Sequence, residues 1–470
     1  MNNSVLQDPC PIEKIFFGCI YLFKGVVPLS SELMLGLVGY AMIFCIIMLL
    51  LKGKVTPIVV LVVVPFVAAL LLGHNPAAIA DFIKGGVTTT TNTAILLFFS
   101  VIFFGVMSDV GVFDGLVEWL LRIAGNNVVL ITVVSSIVAI VGHLDGATAT
   151  TVLITIPTLY PIYARMGIRP HVLLCITGAA MGVMNLVPWG GPTARVATVI
   201  KMDVTQLWHL LIPMQIVGIL VTIGLAVVLG IIEKKRIDSL IASGVKVGVE
   251  HHAIETKATK ENPHLRPKLI WANAFITVAV ILTLVFDLMT SYVVFLLGLS
   301  VALILNFRTL KEQDNRIKAH APSAFIIGAT MIAAGAMVGI LDKTGMMKAM
   351  GESLVAIIPS ALGSYMHVII GFLGLPIGTI IGADAYYYGI FPLVAEVASQ
   401  YGVTPLSTGI AMLIGKNVGM LVSPLVPATY LAIGLVNIEL KDHLRFSFPW
   451  LYGVSILTLI AALVLGVIPL

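Results

Sequence analysis

Long apolar runs alternate with short polar breaks along almost the whole chain, and most runs are long enough to cross a bilayer as a helix, which takes about 20 residues. In the first half such runs cover residues 33–51, 55–73, 87–110 and 207–232, and a shorter segment with an apolar face covers 112–124. In the second half they cover residues 269–287, 289–307, 323–341 and 449–469, and a shorter segment covers 343–358. This pattern predicts an all-α polytopic membrane protein.

Two polar stretches interrupt the apolar pattern, and each contains one aspartate, Asp145 or Asp384. The apolar arms beside them are too short for full crossings. Irregular backbone at membrane depth survives only where it is buried in protein or lines a watery cavity. We therefore predict two re-entrant hairpins, at residues 128–165 and 366–400, with the aspartates at their tips. For the first stretch, the alternative is an ordinary polar loop at the membrane surface.

Proline and glycine interrupt two further crossings. The crossing at residues 171–200 contains Pro-Trp-Gly-Gly-Pro at 188–192, and the crossing at 406–436 contains Ser-Pro-Leu-Val-Pro at 423–427. A broken helix releases backbone groups, and the helix N-terminus at the break points partial positive charge into the protein. Such breaks suit an anionic substrate.

Each half therefore contains three helices, a hairpin, a broken helix and a final helix. An odd number of crossings in each half predicts that the second half is inverted relative to the first. The apolar residues 15–28 are too short to assign as a crossing, so we predict an interfacial segment there. The predicted units are residues 1–32 (N-terminal interfacial segment), 33–232 (repeat 1), 233–268 (cytoplasmic linker) and 269–470 (repeat 2).

Charge supports this topology. Most Lys and Arg fall on one side of the membrane if the first hairpin enters from that side, which the positive-inside rule assigns to the cytoplasm. Lys201, Lys343 and Lys348 are the exceptions. Only 11% of the residues are charged, against about 25% in soluble domains. We expect a multi-pass protein of the plasma (inner) membrane, with the lipid bilayer as a partner and no nucleic acid.

The sequence argues against an enzyme and a channel. It contains no nucleophile–base–orienter set and no cluster with metal-ligand spacing, so we predict no catalytic residues and no cofactor, and leave a metal site unassigned. The four cysteines are apolar fillers. A channel would need a continuous polar lining, whereas the polar groups here cluster at two tips and two breaks.

The hairpin tips hold the candidate coupling groups, His143, Asp145 and Asp384. A carboxylate at a buried tip binds a cation or carries a proton, and a histidine titrates near neutral pH. Tyr386 and Tyr387 follow Asp384 and supply phenol donors, or anchor the chain at the membrane interface.

The breaks hold two basic residues. Arg195 either clamps a carboxylate bidentately or extends to the outer surface. Lys416 lies inside an apolar run, where a charge is costly, so it binds the substrate anion or forms a structural ion pair. The predicted substrate- and cation-binding residues are Asp145, Gly146, Thr148, Thr150, Thr151, Asn185, Gly190, Gly191, Thr193, Arg195, Asp384, Tyr386, Tyr387, Lys416, Asn417, Ser423 and Thr429.

Four motifs carry a resemblance to a known family. They are His143-Leu144-Asp145-Gly146 with Ala149-Thr150-Thr151, Met184-Asn185 through Pro188-Trp189-Gly190-Gly191-Pro192-Thr193-Ala194-Arg195, Asp384-Ala385-Tyr386-Tyr387, and Ser423-Pro424-Leu425-Val426-Pro427 with Thr429-Tyr430-Leu431. In order and spacing they resemble the CitMHS family, the metal-citrate:proton symporters of the ion transporter superfamily. The resemblance implies an inverted-repeat homodimer in which a domain bearing both hairpins moves against a scaffold, an elevator mechanism. It also implies citrate, often complexed with a divalent cation such as magnesium or calcium, cotransported with protons.

The chain departs from this family at the site itself. The family typically has Asp-Gly-Asp-Gly at the first tip, where Ala-Thr at 147–148 replaces the second Asp-Gly, and Ser-Asn before the second aspartate, where this chain has Gly-Ala at 382–383. Lys-Asn at 416–417 stands where Gln-Pro is usual. Relative to the family pattern, this chain therefore has one acid fewer and one cation more. The substrate is then either a metal-free anion or the metal complex. We expect proton-coupled symport of citrate or a related di- or tricarboxylate; the alternatives are a sodium-coupled dicarboxylate carrier and a membrane channel.

Overall fold

The structure, a computed structural model, describes residues 31–245 and 263–469, and every regular element within these ranges is a helix. The predicted segment at 15–28 lies outside the described residues. The helices of the first half are α1 Ser31–Lys52, α2 Pro57–Leu71, α3 Pro76–Asp109, α4 Asp114–Ala124, α5 Val128–Gly142, α6 Thr148–Met166, α7 Pro170–Met184, α8 Gly191–Ile200 and α9 Val204–Ala242. Those of the second half are α10 Ile270–Val285, α11 Ser291–Asn306, α12 Leu310–Lys343, α13 Met346–Val355, α14 Ser360–Gly363, α15 Met366–Phe372, α16 Gly374–Asp384, α17 Phe391–Gln400, α18 Pro405–Asn417, α19 Pro427–Val436 and α20 Leu440–Val464.

The described helices include six that are long and apolar enough to cross a membrane, and a bent pair that includes α15 and α16 brings the number to seven. The six are α1, α3, α9, α10 with the short 3₁₀ turn before it, α12 and α20. Several remaining helices are apolar but shorter than a bilayer is thick. The predicted class, an all-α polytopic membrane protein, is confirmed.

Some helices continue well beyond the predicted apolar runs. Helices α3 and α12 each contain 34 residues. Polar caps explain the extra turns, because a capped helix end satisfies backbone groups outside the apolar region. The Asn75 side chain accepts a hydrogen bond from the Ala78 N–H at the start of α3, and Thr309 and Glu312 form a capping box at the start of α12.

Helix α9 corrects the predicted start of the linker at residue 233, since it continues to Ala242. Glu233 is fully buried and accepts hydrogen bonds from the side chains of Arg169 (2.7 Å) and Arg236 (2.7 Å). Arg236 also donates to the Gly167 carbonyl. These contacts bind α9 to the turn between α6 and α7, so the charged residues that suggested a linker belong to packed helix.

The first predicted hairpin is a helix–turn–helix of α5 and α6, in which Gly146 adopts the left-handed region at φ +69°. The second has a different shape. An 82° bend separates α15 from α16, and the backbone within α16 leaves helical geometry at Gly382 (φ 74°, ψ 170°). Asp384 ends α16 and a π-helical turn, Ala385–Ile390, follows. The three tyrosines of this turn pack into the apolar core.

Helices α3 and α12 lie antiparallel along a seam of small residues. A Cβ on Gly86 would collide with the backbone of Gly335 and Gly339, so the two helices touch directly there. Towards the other end of the seam, Gly105 lies against the ring of His320. The two broken helices are α7–α8 and α18–α19, and the residues at the ends of α7 and α18, Asn185 and Asn417, are buried.

Candidate functional site

The first hairpin tip is fastened to the first broken helix by His143, which is fully buried. Its Nδ1 lies 2.6 Å from Thr151 Oγ1, and its Nε2 lies 3.3 Å from Asn185 Oδ1 at the end of α7. Thr151 also donates towards the Gly142 and Ala147 carbonyls. Both ring nitrogens are therefore occupied, which suits a residue that orients the tip.

Asp145 lies at the same tip and is only 7% exposed. Its Oδ1 accepts a hydrogen bond of 2.8 Å from the Ala147 N–H, and the Thr150 hydroxyl lies beside it. Within residues 31–245 and 263–469, no Lys or Arg forms a salt bridge with this carboxylate. The N-terminus of α6, which begins at Thr148, supplies partial positive charge nearby. Asp145 is thus a buried acid held by hydrogen bonds alone.

Asp384 is placed differently, because it binds Arg195 of the first half. The Arg195 Nη2 and Nε atoms lie 2.6 Å and 2.8 Å from Asp384 Oδ1. The guanidinium also lies 5.9 Å from the centre of the Tyr388 ring. Arg195 therefore faces inward and does not extend to the outer surface, and its ion pair joins the two halves of the chain. Lys201 follows the last residue of α8 and pairs with Asp342.

Lys416 is buried, at 4% exposure, near the end of α18. Its ammonium lies 5.5 Å from the centre of the Tyr387 ring, and its methylene stem covers Gly378. In the part of the chain that the structure describes, Lys416 has no carboxylate within salt-bridge distance. The structural ion pair considered as an alternative is therefore not seen there. What remains is a buried amine with no carboxylate within salt-bridge distance among the described residues.

The second hairpin is fastened in the same manner as the first. The Tyr387 hydroxyl donates a 2.9 Å hydrogen bond to Asn417 Oδ1 at the end of α18, as His143 contacts Asn185 at the end of α7. The Asn185 amide also contacts the sulfur of Met420, which connects the two breaks. Side-chain contacts thus link both hairpins and both breaks into one cluster.

Three predicted hydroxyls at the breaks donate to backbone carbonyls. Thr193 donates to the Asn185 carbonyl (2.9 Å), Ser423 to the Thr379 carbonyl of α16 (2.8 Å) and Thr429 to the Ser423 carbonyl (2.9 Å). The first and third bonds satisfy groups that the interrupted helices release, and the second joins the break to the second hairpin. The hydroxyl hydrogens of the three residues are used in these bonds, which stabilise the shape of the breaks. The hydroxyl oxygens can still accept a hydrogen bond from a bound molecule.

The remaining predicted residues serve mainly close packing. A Cβ on Gly190 would lie 2.3 Å from the Asn185 carbonyl oxygen, and one on Gly191 would lie 2.6 Å from Arg195 Nη1. Tyr386 is fully buried and, among the described atoms, its hydroxyl has no hydrogen-bond partner.

Trp189 is a contact that the sequence interpretation did not single out. Its indole N–H donates to the Leu144 carbonyl at 2.6 Å, and its ring packs on Phe104 (5.0 Å) and Phe295 (5.1 Å) from α3 and α11. A tryptophan in the middle of a crossing needs a hydrogen-bond partner for its N–H. The position of Trp189 in the sequence therefore indicated a polar contact there.

The charges of the cluster sort into one internal pair and two single groups. Arg195 and Asp384 compensate each other, while Asp145 and Lys416 each lack a salt-bridge partner among the described residues. Since an uncompensated charge is costly to bury, this arrangement favours an anion at Lys416 and a proton or cation at Asp145.

Comparison with known proteins shows the family of the chain. The family model of citrate transporters, CitMHS, matches residues 38–415. The chain belongs to this family. It is 37% identical over 435 residues to a citrate transporter of Bacillus subtilis (strain 168), covering 93% of this chain and 100% of the relative. It is 34% identical over 432 residues to a Mg(2+)/citrate complex secondary transporter of the same organism, covering 92% and 98%. The predicted family is confirmed, and the chain is a multi-pass transporter of the plasma membrane and not an enzyme.

Two solved structures share the fold. The YdaH transporter of Alcanivorax borkumensis has a TM-score of 0.60 at 14% identity, covering 84% of this chain and 91% of that one. MtrF of Neisseria gonorrhoeae has a TM-score of 0.55 at 15% identity, covering 82% and 84%. At these identities the similarity concerns the fold alone.

Proposed function

We propose that this CitMHS family member is a secondary active transporter that carries citrate, or a related di- or tricarboxylate, in symport with protons. The names of its relatives support citrate as the substrate. The site supports the anionic class independently, since Lys416 is a buried cation without a salt-bridge partner among the described residues. That observation carries the proposal.

Asp145 is the proton-coupling group in this proposal. A proton on its carboxyl would remove a buried charge that no described Lys or Arg compensates. Asp384 is the weaker candidate because Arg195 already compensates it. His143 orients the tip through Thr151 and Asn185. Loading of Lys416 by one carboxylate of the anion and of Asp145 by the proton would compensate both of these protein groups.

A citrate–metal complex is the second candidate substrate, because one relative is named as a Mg(2+)/citrate complex transporter. Among the described residues, no group of three or more His, Cys, Asp or Glu could hold a metal ion. A magnesium or calcium ion would therefore travel as part of the substrate, with citrate supplying most of its oxygen ligands and Asp145 facing it.

The transport movement follows from the same contacts. Both hairpins and both breaks are linked by His143, Arg195 and Tyr387, so we expect them to move as one body. Helices α3 and α12, in close backbone contact, supply the opposing surface. The inverted repeat, the elevator movement and the homodimer remain predictions.

The test is uptake of radiolabelled citrate into proteoliposomes. The wild type should accumulate citrate when the pH is lower outside than inside, without added sodium, and with EDTA present if the free anion is the substrate. Asp145→Asn should abolish accumulation while sparing exchange of internal for external citrate. An Asp145→Asn variant that accumulates citrate with the wild-type pH profile would contradict the assignment. Uptake that requires magnesium or sodium would favour the alternatives.

A further inference from the structure

The asparagines at the two breaks are held in the same way. Asn417 is 2% exposed and its Oδ1 accepts a 2.9 Å hydrogen bond from the Tyr387 hydroxyl, yet its Nδ2 has no hydrogen-bond partner among the described atoms. Asn185 is equally buried, with its Oδ1 3.3 Å from His143 Nε2 and its Nδ2 against the sulfur of Met420. A thioether sulfur is only a weak acceptor. At each break the hairpin thus engages the amide oxygen and leaves the amide N–H groups without a strong acceptor.

Tyr387 fixes the direction of the Asn417 amide. Its hydroxyl is buried and needs an acceptor, which the Asn417 oxygen supplies. This bond directs the two amide N–H donors away from the tyrosine. The ring of the same tyrosine lies 5.5 Å from the Lys416 ammonium. The lysine and the amide of the next residue therefore flank one side chain, and both can donate to an anion.

The two breaks lie in backbone contact. Gly182 lies one turn before Asn185 in α7, and a Cβ on it would lie 2.7 Å from the Asn417 carbonyl oxygen. The Asn185 amide nitrogen itself touches Met420, which begins the 3₁₀ turn after α18. One small molecule can therefore reach the end of α7 and the end of α18 together.

We propose that the Asn185 and Asn417 amides donate to two different carboxylates of the substrate, and that Tyr387 is a positioning residue for Asn417. The proposal rests on the proposed function, transport of a di- or tricarboxylate, and assigns the selection of such anions to two amides, one from each half of the chain. A carboxylate has about four acceptor positions, so one that binds Lys416 can also accept from Asn417. Asn185 then needs a second carboxylate, which a monocarboxylate lacks.

A buried water is the alternative partner of the Asn417 amide. A cavity of about 20 Å³ is lined by Gly182, Asn417 and Val418, among others, and this is room for one water molecule. A water there would make the amide a structural element, whose loss lowers stability without changing substrate affinity. Asn185 does not line this cavity, yet its amide also has only a weak acceptor. The recurrence at both breaks favours the substrate as the partner.

The test measures the KM and the maximal rate of radiolabelled citrate uptake by the full-length protein in proteoliposomes. Asn417→Leu removes both donors at similar size. It should raise KM about tenfold with little change in maximal rate, because hydrogen bonds to charged groups are among the stronger ones and are lost here from binding alone. Asn185→Leu should act likewise. The two losses should multiply to about a hundredfold in the double variant, since independent contacts are additive in free energy. Tyr387→Phe should raise KM severalfold while keeping its ring near Lys416.

Two buried side chains outside the breaks provide matched controls. Asn273→Leu removes one of two asparagines that donate to each other, Asn273 to Asn306 at 2.8 Å and Asn306 to Asn273 at 2.7 Å. Tyr163→Phe removes a buried hydroxyl that donates to Ser135 within the first hairpin. Both variants should lower thermal stability and leave KM unchanged.

Several results would overturn this assignment while leaving the proposed function intact. A folded, less stable Asn417→Leu protein with the wild-type KM would assign the amide to a buried water. A double variant no weaker than the weaker single variant would place both amides on one carboxylate. If Asn417→Leu does not fold, Tyr387→Phe decides, and an unchanged KM there would overturn the proposal. A wild type that takes up neither citrate nor another di- or tricarboxylate would instead overturn the proposed function itself.

Discussion

Replacing Lys416 by glutamine separates an anion-binding role from a structural one. The structural role predicts a less stable empty protein with an unchanged KM, whereas the anion-binding role predicts an equally or more stable empty protein with a higher KM. The side chain is 4% exposed and has no salt-bridge partner among the described residues. Without substrate, its charge is buried and uncompensated, which costs free energy of folding. Glutamine has a similar length and no charge, so Lys416→Gln should leave the thermal stability of the empty protein unchanged or higher.

Substrate binding should respond in the other direction. Two unit charges at about 4 Å interact by about 4 kcal/mol at an effective dielectric constant of about 20. Part of this is lost to dehydration of the carboxylate, so we expect a net loss of at least about 1.4 kcal/mol, a tenfold weakening. The KM of citrate uptake in proteoliposomes should rise about tenfold or more. In detergent, the stabilisation of the protein by citrate should shrink correspondingly, because it depends on the ratio of citrate concentration to Kd.

Lys201→Gln provides the control. Lys201 forms a 2.7 Å pair with Asp342 in which both side chains are well exposed, and exposed pairs contribute at most about 1 kcal/mol. This variant should change neither KM nor thermal stability appreciably. If Lys416→Gln lowered the stability of the empty protein and left KM unchanged, the lysine would be structural and the reasoning from its missing counter-ion would be refuted.

Two further predictions concern the break and the topology. Gly190→Ala should destabilise the protein by about 1–3 kcal/mol or more, since the new methyl group would meet the Asn185 carbonyl oxygen. Thermal unfolding measures this loss. The control is Gly434→Ala in α19, where the added methyl group meets open space. In a cysteine-free background, Lys235→Cys and Lys343→Cys should react with an impermeant thiol reagent from opposite membrane sides. Labelling of both in intact cells would contradict the predicted topology.

The sequence predicted the main interruptions of the helices because polarity inside an apolar run is a local signal. The breaks at 188–192 and 423–427 separate α7 from α8 and α18 from α19 as expected. The helix ends were harder to predict, because hydropathy identifies the residues that contact lipid and does not identify helix caps. The capping box at Thr309 starts α12. The first turns of this helix are polar and lie outside the apolar run predicted at 323–341.

The sequence proposed the residues of the candidate site but could not give their pairing. Arg195 was expected to clamp a carboxylate or to extend to the surface, and Lys416 to bind the anion or to form an ion pair. Only the fold decides that Asp384 reaches Arg195 and leaves Lys416 without a salt bridge among the described residues. Ser423 and Thr429 were expected to serve the substrate, and their donors go to backbone carbonyls.

The ion pair between Arg195 and Asp384 has a consequence for how the chain is made. Its two residues are 189 positions apart, so at ordinary rates of synthesis the arginine leaves the ribosome roughly 10–40 s before its partner. During that interval a guanidinium on a ten-residue half-helix has no counter-charge, and an arginine in the bilayer interior is strongly disfavoured. We therefore expect helix α8 to reach its final depth only after the second hairpin has been inserted. A late docking step of α8 during biogenesis is the consequence of this one ion pair.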